Sequence, residues 1–381
     1  MRIRATRYDT GQRIDIVVES GQIVEQTPAG NEPADHESQW VAPAFFDLQI
    51  NGCHGHSFNS ELLNFEKIQE IVRVCHSHGI SELCPTLITN SFEAIRHGFN
   101  TLRQAREQDS SLAQALPGYH LEGPYISPED GPRGAHPKEH VRPPDWDEFC
   151  RWQEAAGGKI LLVTLAPEWP QATDFIERLV DSGIVVALAH TAASAEQLSD
   201  AVKAGARLST HLGNGSHALL PRHDNYIWHQ LANDTLFASL ITDGHHLPAS
   251  VVKCMMRVKT PERVVITCDA SSLAGLPPGT YREWGQEFEV CANGKVLVAG
   301  TSYLGGSGLF TDVCVSNAMT FAGVSLRDAI DMAGAGPRAL LGLPERTLAV
   351  GQRADLVLFD KEENGPIQWR KTFVGGTAYN P

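Results

Sequence analysis

Four ionisable side chains stand where apolar runs of the sequence stop. They are Glu122 in Leu121-Glu122-Gly123-Pro124, His190 in Ala189-His190-Thr191, His211 in Thr210-His211, and Asp269 in Val265-Ile266-Thr267-Cys268-Asp269-Ala270. Two neutral imidazoles and one carboxylate can hold Zn²⁺ or a similar ion with positions left open for water and substrate. A second carboxylate beside that water can take its proton and later hand it to a leaving amine. The residue types therefore suggest metal-assisted hydrolysis, with Glu122, His190 and His211 as ligands and Asp269 as base and acid. Their positions are far apart in the chain, so spacing alone does not join them. A histidine at a strand end is also an ordinary structural residue, and an aspartate there an ordinary turn cap. Only a fold that brings the four strand ends together decides between the readings.

Such a fold is visible in the middle of the chain. Apolar or β-rich runs occur near residues 44–50, 81–88, 118–121, 160–165, 184–189, 207–210, 236–242 and 264–268. Helical patterns separate most of them: Phe92, Ile95, Phe99 and Leu102 recur at helical spacing, as do Phe175, Leu179 and Val180. Ser194-Ala195-Glu196-Gln197 reads as a capping box, and the helix it opens runs to Gly205. Eight runs predict an α/β fold of the (β/α)8 TIM-barrel kind, whose reactive groups sit at the C-terminal ends of the strands. A doubly wound sheet also alternates, but here each run ends in polar or ionisable groups. No GxGxxG opens a helix after the first run, so a dinucleotide site is not indicated. Gly305-Gly306-Ser307-Gly308 lacks the lysine of a P-loop and reads as a close approach to a ligand or a neighbouring backbone. Both ends of the chain read as short strands with turns. The expected organisation is a small β-sandwich from residues 1–42 and 346–381 around a catalytic barrel of residues 43–345.

The whole chain narrows the function classes. It has 381 residues, a formal net charge of −14 and no cluster of Lys and Arg, so a nucleic-acid surface is not expected. No run of 18 apolar residues predicts a membrane span, and the N-terminus has no apolar signal region. Eight scattered cysteines without a CxxC pair suggest reduced thiols and a cytoplasmic setting.

In order and spacing, several stretches resemble the amidohydrolase superfamily and, within it, the N-acetylglucosamine-6-phosphate deacetylase family. They are Asp47-Leu48-Gln49-Ile50-Asn51-Gly52, Leu121–Pro124, Gly134-Ala135-His136, Thr164–Glu168, His190, Thr210–Asn214, Asp243-Gly244-His245-His246 and Thr267–Ala270. The resemblance covers nearly the whole chain. It implies a metal at Glu122, His190 and His211, and Asp269 as general base and acid, in agreement with the strand-end reading. It also implies that His136 and His246 bind sugar hydroxyls or polarise the substrate, and that Asn214 and the backbone of Gly215 contact a phosphate. Arg222 matches an arginine that reaches the phosphate from a neighbouring subunit, so a homodimer is expected. An arginine fork suits a phosphate because it donates two parallel hydrogen bonds.

Two departures matter. Many superfamily members carry His-x-His on the first strand and hold two metals, whereas this chain has Gln49-x-Asn51. Amides are poor ligands for a transition ion, so one divalent ion per subunit is expected (zinc first, with iron, manganese or cobalt as alternatives), and Gln49 and Asn51 are expected to orient water and second-sphere groups. His54-Gly55-His56 lies beyond that strand as an alternative holder of a second ion. Residues 213–230 also depart from the family: Gly213 and Gly215-Ser216 replace larger residues, and His217, His223, Trp228 and His229 follow. The expected reaction is deacetylation of N-acetylglucosamine 6-phosphate. The alternatives are a different N-acyl or cyclic amide substrate and a non-catalytic sugar-binding protein on the same scaffold.

Overall fold

A computed structural model describes residues 1–283, 286–301, 303–362 and 365–381. The five remaining positions, which fall within the two expected domain ranges, lie outside the described residues.

The eight expected runs form one parallel sheet in chain order. Its strands are Phe45–Ile50, Ile80–Ile88, Tyr119–Glu122, Ile160–Leu165, Val185–Leu188, Leu208–Ser209, Phe237–Ile241 and Val264–Thr267. These strands are almost continuously buried, as expected when helices cover the outside and side chains fill the inside. Inward positions change character along the strand direction. Leu162, Ala187, Leu208 and Val265 share one apolar cluster low in the barrel. One step further along lie His120, Thr164 and Thr210, joined by hydrogen bonds of 2.7 and 2.8 Å. The strand ends then carry Glu122, His190, His211 and Asp269.

The first and eighth strands do not share a regular ladder. Their seam is held by an isolated bridge between Ile50 and Ala270 and by the carboxylate of Asp47. Asp47 is fully buried and accepts from the Thr267 hydroxyl, from Thr311 Oγ1 at 2.6 Å, and from the backbone N–H groups of Cys268 at 2.9 Å and Gln49 at 3.0 Å. Burial pushes its carboxyl above the ordinary range, even against these four donors.

The outer helices follow the sequence signals. The helix Phe92–Gln108 is capped by Ser91, whose side chain accepts from Ala94 N–H, and it buries Ile95, Phe99 and Leu102. Each such side chain contributes roughly 1.5–3 kcal/mol when fully buried. The capping box of Ser194 and Gln197 forms as expected and opens the helix Ala195–Lys203. The helix Ala172–Asp181 buries Phe175 and Leu179, but Val180 is exposed, so only part of that predicted stripe faces the core.

The chain termini share a seven-stranded mixed sheet around its own apolar cluster, including Ile3, Ile16, Val41, Leu356 and Phe373. The sheet curls until the turn at Gly21 meets the far end, where Gly21 accepts from Ala354 N–H at 2.9 Å. Tyr8 ties this sheet to the barrel helices by donating to Asp331 at 2.7 Å.

A second small sheet was not legible in the sequence. Strands Gly279–Glu283, Gln286–Val290, Lys295–Val298 and Leu304–Ser307 form an antiparallel insert after the eighth barrel strand, with Leu273, Phe288, Val290 and Val296 as its core. The glycine-rich stretch lies in its last strand and packs against Ser271 and Phe288. No helix among the described residues is long and apolar enough to cross a membrane.

Asp47→Asn should lower unfolding free energy by about 2–4 kcal/mol, because in either orientation the buried amide NH₂ faces a backbone N–H, donor against donor, at Gln49 or Cys268. Denaturant unfolding measures this, and an unchanged midpoint would remove Asp47 from the barrel seam.

Candidate active site

Three of the four strand-end residues share an uncommon backbone. His190, His211 and Asp269 have φ of +50°, +32° and +51°, in the left-handed region that costs a side-chain-bearing residue energy. Each turns the chain sharply where its strand stops; His190 and His211 are buried in the barrel mouth, and Asp269 is half-buried beside them.

The carboxylate and imidazoles meet. Glu122 Oε1 lies 2.9 Å from His211 Nε2 and 3.2 Å from His190 Nε2, and the two Nε2 atoms are 3.1 Å apart. His190 Nδ1 lies 2.8 Å from the carbonyl oxygen of Pro132, which can only accept, so Nδ1 donates and a neutral His190 has a lone pair on Nε2. That lone pair faces an acceptor carboxylate. Burial alone would raise Glu122, but a positive charge shared with the His190 and His211 rings holds it well below the usual carboxylate range. Acceptors this close call for a cation among them. Ligands about 2.0–2.1 Å from a tetrahedral ion stand roughly 3.3 Å apart, close to these separations.

His136 offers a second donor set. Ligand atoms of Glu122, His136 and His190 lie within 4.8 Å of one another. His211 comes closer to Glu122 and His190 than that limit, so we favour the set with His211. His136 Nδ1 is engaged with Thr89 Oγ1 at 2.8 Å, and burial together with His190 lowers its pKa to about 3.

Asp269 faces this group from the eighth strand. Burial and the Glu122 carboxylate push its pKa up to about 8. Asn51 Nδ2 donates to Asp269 Oδ1 at 2.7 Å, so this amide orients the carboxylate, a second-sphere task of the kind expected from its residue type. Gln49 is fully buried with both side-chain polar atoms unpartnered among the described residues. His54 and His56 fall outside the metal-donor cluster; His54 is exposed, and the pair flanks a two-stranded turn.

The remaining expected residues lie on the rim. Asn214 Nδ2 donates to the His211 carbonyl at 3.0 Å. Gly215 has φ +56°, and a Cβ there would stand 2.5 Å from His190 Nδ1, so only glycine lets this loop lie on the imidazole. His246 Nδ1 contacts Asp243 at 2.7 Å. Arg222 is exposed, with no ion-pair partner among the described residues, and is not gathered to the cluster within one chain. The divergent stretch 213–230 is pinned within itself and from outside: Tyr226 Oη accepts from His217 N–H at 2.8 Å, and His217 Nε2 lies 3.1 Å from Glu129. It ends in the helix Tyr226–Ala232, and leaves Leu219 and Trp228 exposed. Sequence reasoning missed Thr89, His120 and Asp243 as parts of the site; of these only Asp243 stood in a stretch with a family signature.

A parallel barrel with a carboxylate, two histidines and an aspartate at its strand ends defines a metal-dependent hydrolase. The chain belongs to the amidohydrolase family, whose profile matches residues 40–379. Its relatives include N-acetylglucosamine-6-phosphate deacetylases: that of Bos taurus is 34% identical, with 96% of this chain and 91% of the relative covered. That of Bacillus subtilis is 32% identical, covering 88% and 86%. An Asp-to-Ala mutant of N-acetyl-D-glucosamine-6-phosphate deacetylase from Mycobacterium smegmatis, solved in complex with N-acetyl-D-glucosamine-6-phosphate, superposes with a TM-score of 0.87 at 27% identity. The match covers 100% of this chain and 99% of that one.

The two donor sets are separable. His211→Ala should lose most bound metal, and His136→Ala should keep it, as measured by metal analysis after dialysis. The reverse pattern would assign the third ligand to His136.

Proposed function

We propose that the protein deacetylates N-acetylglucosamine 6-phosphate, giving glucosamine 6-phosphate and acetate. The observation that carries this reading is the convergence of Glu122, His190 and His211 with Asp269 facing them. One divalent ion held by the first three, zinc before iron, manganese or cobalt, would polarise the amide carbonyl and make water more acidic. Its charge would also oppose the rise in the Asp269 pKa, favouring the ionised base.

Asp269 takes a proton from the attacking water, whose oxygen bonds to the carbonyl carbon. The same carboxyl group then protonates the amide nitrogen as the C–N bond breaks, so acetate and a free amine leave. Asn51 keeps the Asp269 carboxylate aimed throughout. His136, with Nδ1 satisfied by the Thr89 hydroxyl, presents Nε2–H to the carbonyl oxygen as it gains charge. His246 binds a sugar hydroxyl, and Asn214 with the Gly215 backbone binds phosphate. The exposed guanidinium of Arg222, unpaired among the described residues, suits a phosphate bound by the neighbouring subunit of a homodimer. A cytoplasmic setting agrees with eight free cysteines and no disulfide among the described residues.

The rebuilt 213–230 loop favours one second reading, the same hydrolysis on a different N-acyl or cyclic amide. A purely sugar-binding role fits poorly, because all four reacting-centre side chains are in place.

Acetate release from N-acetylglucosamine with and without the 6-phosphate tests the proposal. The phosphorylated sugar should be strongly preferred, and Arg222→Ala should raise its KM about tenfold or more while leaving the unphosphorylated sugar unaffected. Equal effects on both would remove the phosphate role. Asp269→Asn should lower kcat by about 10²–10⁴-fold with metal retained; near-normal turnover would reassign the base.

A further inference from the structure

The antiparallel insert meets the barrel rim through Ser307, the last residue of its fourth strand, and this contact reaches His246. The Ser307 hydroxyl lies 3.0 Å from Asp243 Oδ2, its nearer acceptor, and 3.2 Å from the Leu309 carbonyl, and Asp243 Oδ2 also contacts His246 Nδ1 at 2.7 Å. The other oxygen, Oδ1, accepts from the backbone N–H groups of His245 at 2.8 Å and His246 at 3.0 Å. Asp243 and Ser307 are both buried. Burial alone would raise the Asp243 pKa, but its contacts with His246 win and lower it to about 2. An ionised carboxylate has no proton to give, so the hydrogen in its contact with His246 sits on Nδ1.

The main chain of Ser307 reaches the other side of the site. Its N–H donates to the carbonyl of Asp269 at 3.0 Å, and its carbonyl accepts from Ser271 N–H at 2.9 Å. The insert therefore supports both the strand end that carries Asp269 and the carboxylate behind His246.

We propose that Asp243 and Ser307 are positioning residues that make Nδ1 the protonated nitrogen of His246 in its neutral form, so that Nε2 then offers a lone pair to a substrate hydroxyl. The substrate half of this statement rests on the reading above that His246 faces the sugar. A carboxylate behind Nδ1 selects one tautomer and one ring orientation, and a hydroxyl behind the carboxylate keeps it from turning away. Nε2 then accepts a hydrogen bond and cannot donate one. The insert thus helps set which substrate groups the rim accepts.

The test is made on the full-length, zinc-loaded protein labelled with ¹⁵N-histidine, with His246→Gln identifying the His246 resonances. Long-range ¹H–¹⁵N spectra should show the wild-type ring protonated at Nδ1 alone. Asp243→Asn keeps the size and, with its Oδ1 still held by the two backbone N–H groups, turns its NH₂ toward Nδ1. The ring proton should move to Nε2, and KM for N-acetylglucosamine 6-phosphate should rise about tenfold or more, with a smaller fall in kcat. Ser307→Ala should shift tautomer and KM in the same direction by less, about threefold in KM. Nε2 protonated in the wild type, alone or together with Nδ1, would overturn the proposal, as would an Nδ1 proton that survives Asp243→Asn. An unchanged spectrum and KM in Ser307→Ala would overturn the role of Ser307. The spectra need no turnover, so an Nδ1-protonated His246 in a protein without deacetylase activity would count against the proposed function and not against this device.

Discussion

Closure of the barrel at Asp47 is the constraint on which the site depends. A parallel sheet of eight strands leaves two edges, and each edge strand has backbone groups that need partners. Here the edges meet without a regular ladder, and one buried carboxylate accepts from both strands and from Thr311 on the helix that follows the insert. Beyond this seam, Asn51 N–H donates to the Ala270 carbonyl at 2.9 Å and the Asn51 side chain donates to Asp269. The position of the catalytic candidate is thus a consequence of how the barrel closes. Without that closure Asp269 would sit at a free edge, away from Glu122.

Burying like groups together is costly unless a countercharge is supplied, and the strand ends concentrate two carboxylates and two imidazoles where water is scarce. The protein leaves Glu122 and the His190 lone pair facing one another and stores left-handed backbone at three of the four positions. Both features favour binding a cation over satisfying the groups internally. The polar layer beneath, His120 with Thr164 and Thr210, supports the site without competing for the ion, and burial lowers the His120 pKa to about 4, which keeps it neutral.

Much of this was legible in the sequence because barrel strands carry their own punctuation. All eight apolar runs became strands within a few residues of the expected limits, and Glu122, His190 and His211 converged as strand ends should. The insert escaped because its four strands are only four or five residues long and only partly buried, so no long apolar run marks them. The task of Ser307 was hidden for the same reason: a hydroxyl in a glycine-rich stretch has no periodic signal, and its partner Asp243 is 64 residues away. Val180 shows the opposite error, an apolar side chain at helical spacing that the fold leaves in solvent.

The central claim is a hydrolytic site built for a single ion, and a metal titration of the apoprotein tests it most directly. Acetate release from N-acetylglucosamine 6-phosphate is followed as Zn²⁺ is added in fractions of an equivalent. Activity should rise linearly and level off at one ion per chain. A plateau reached only at two ions, or substantial activity in the metal-free protein, would contradict it.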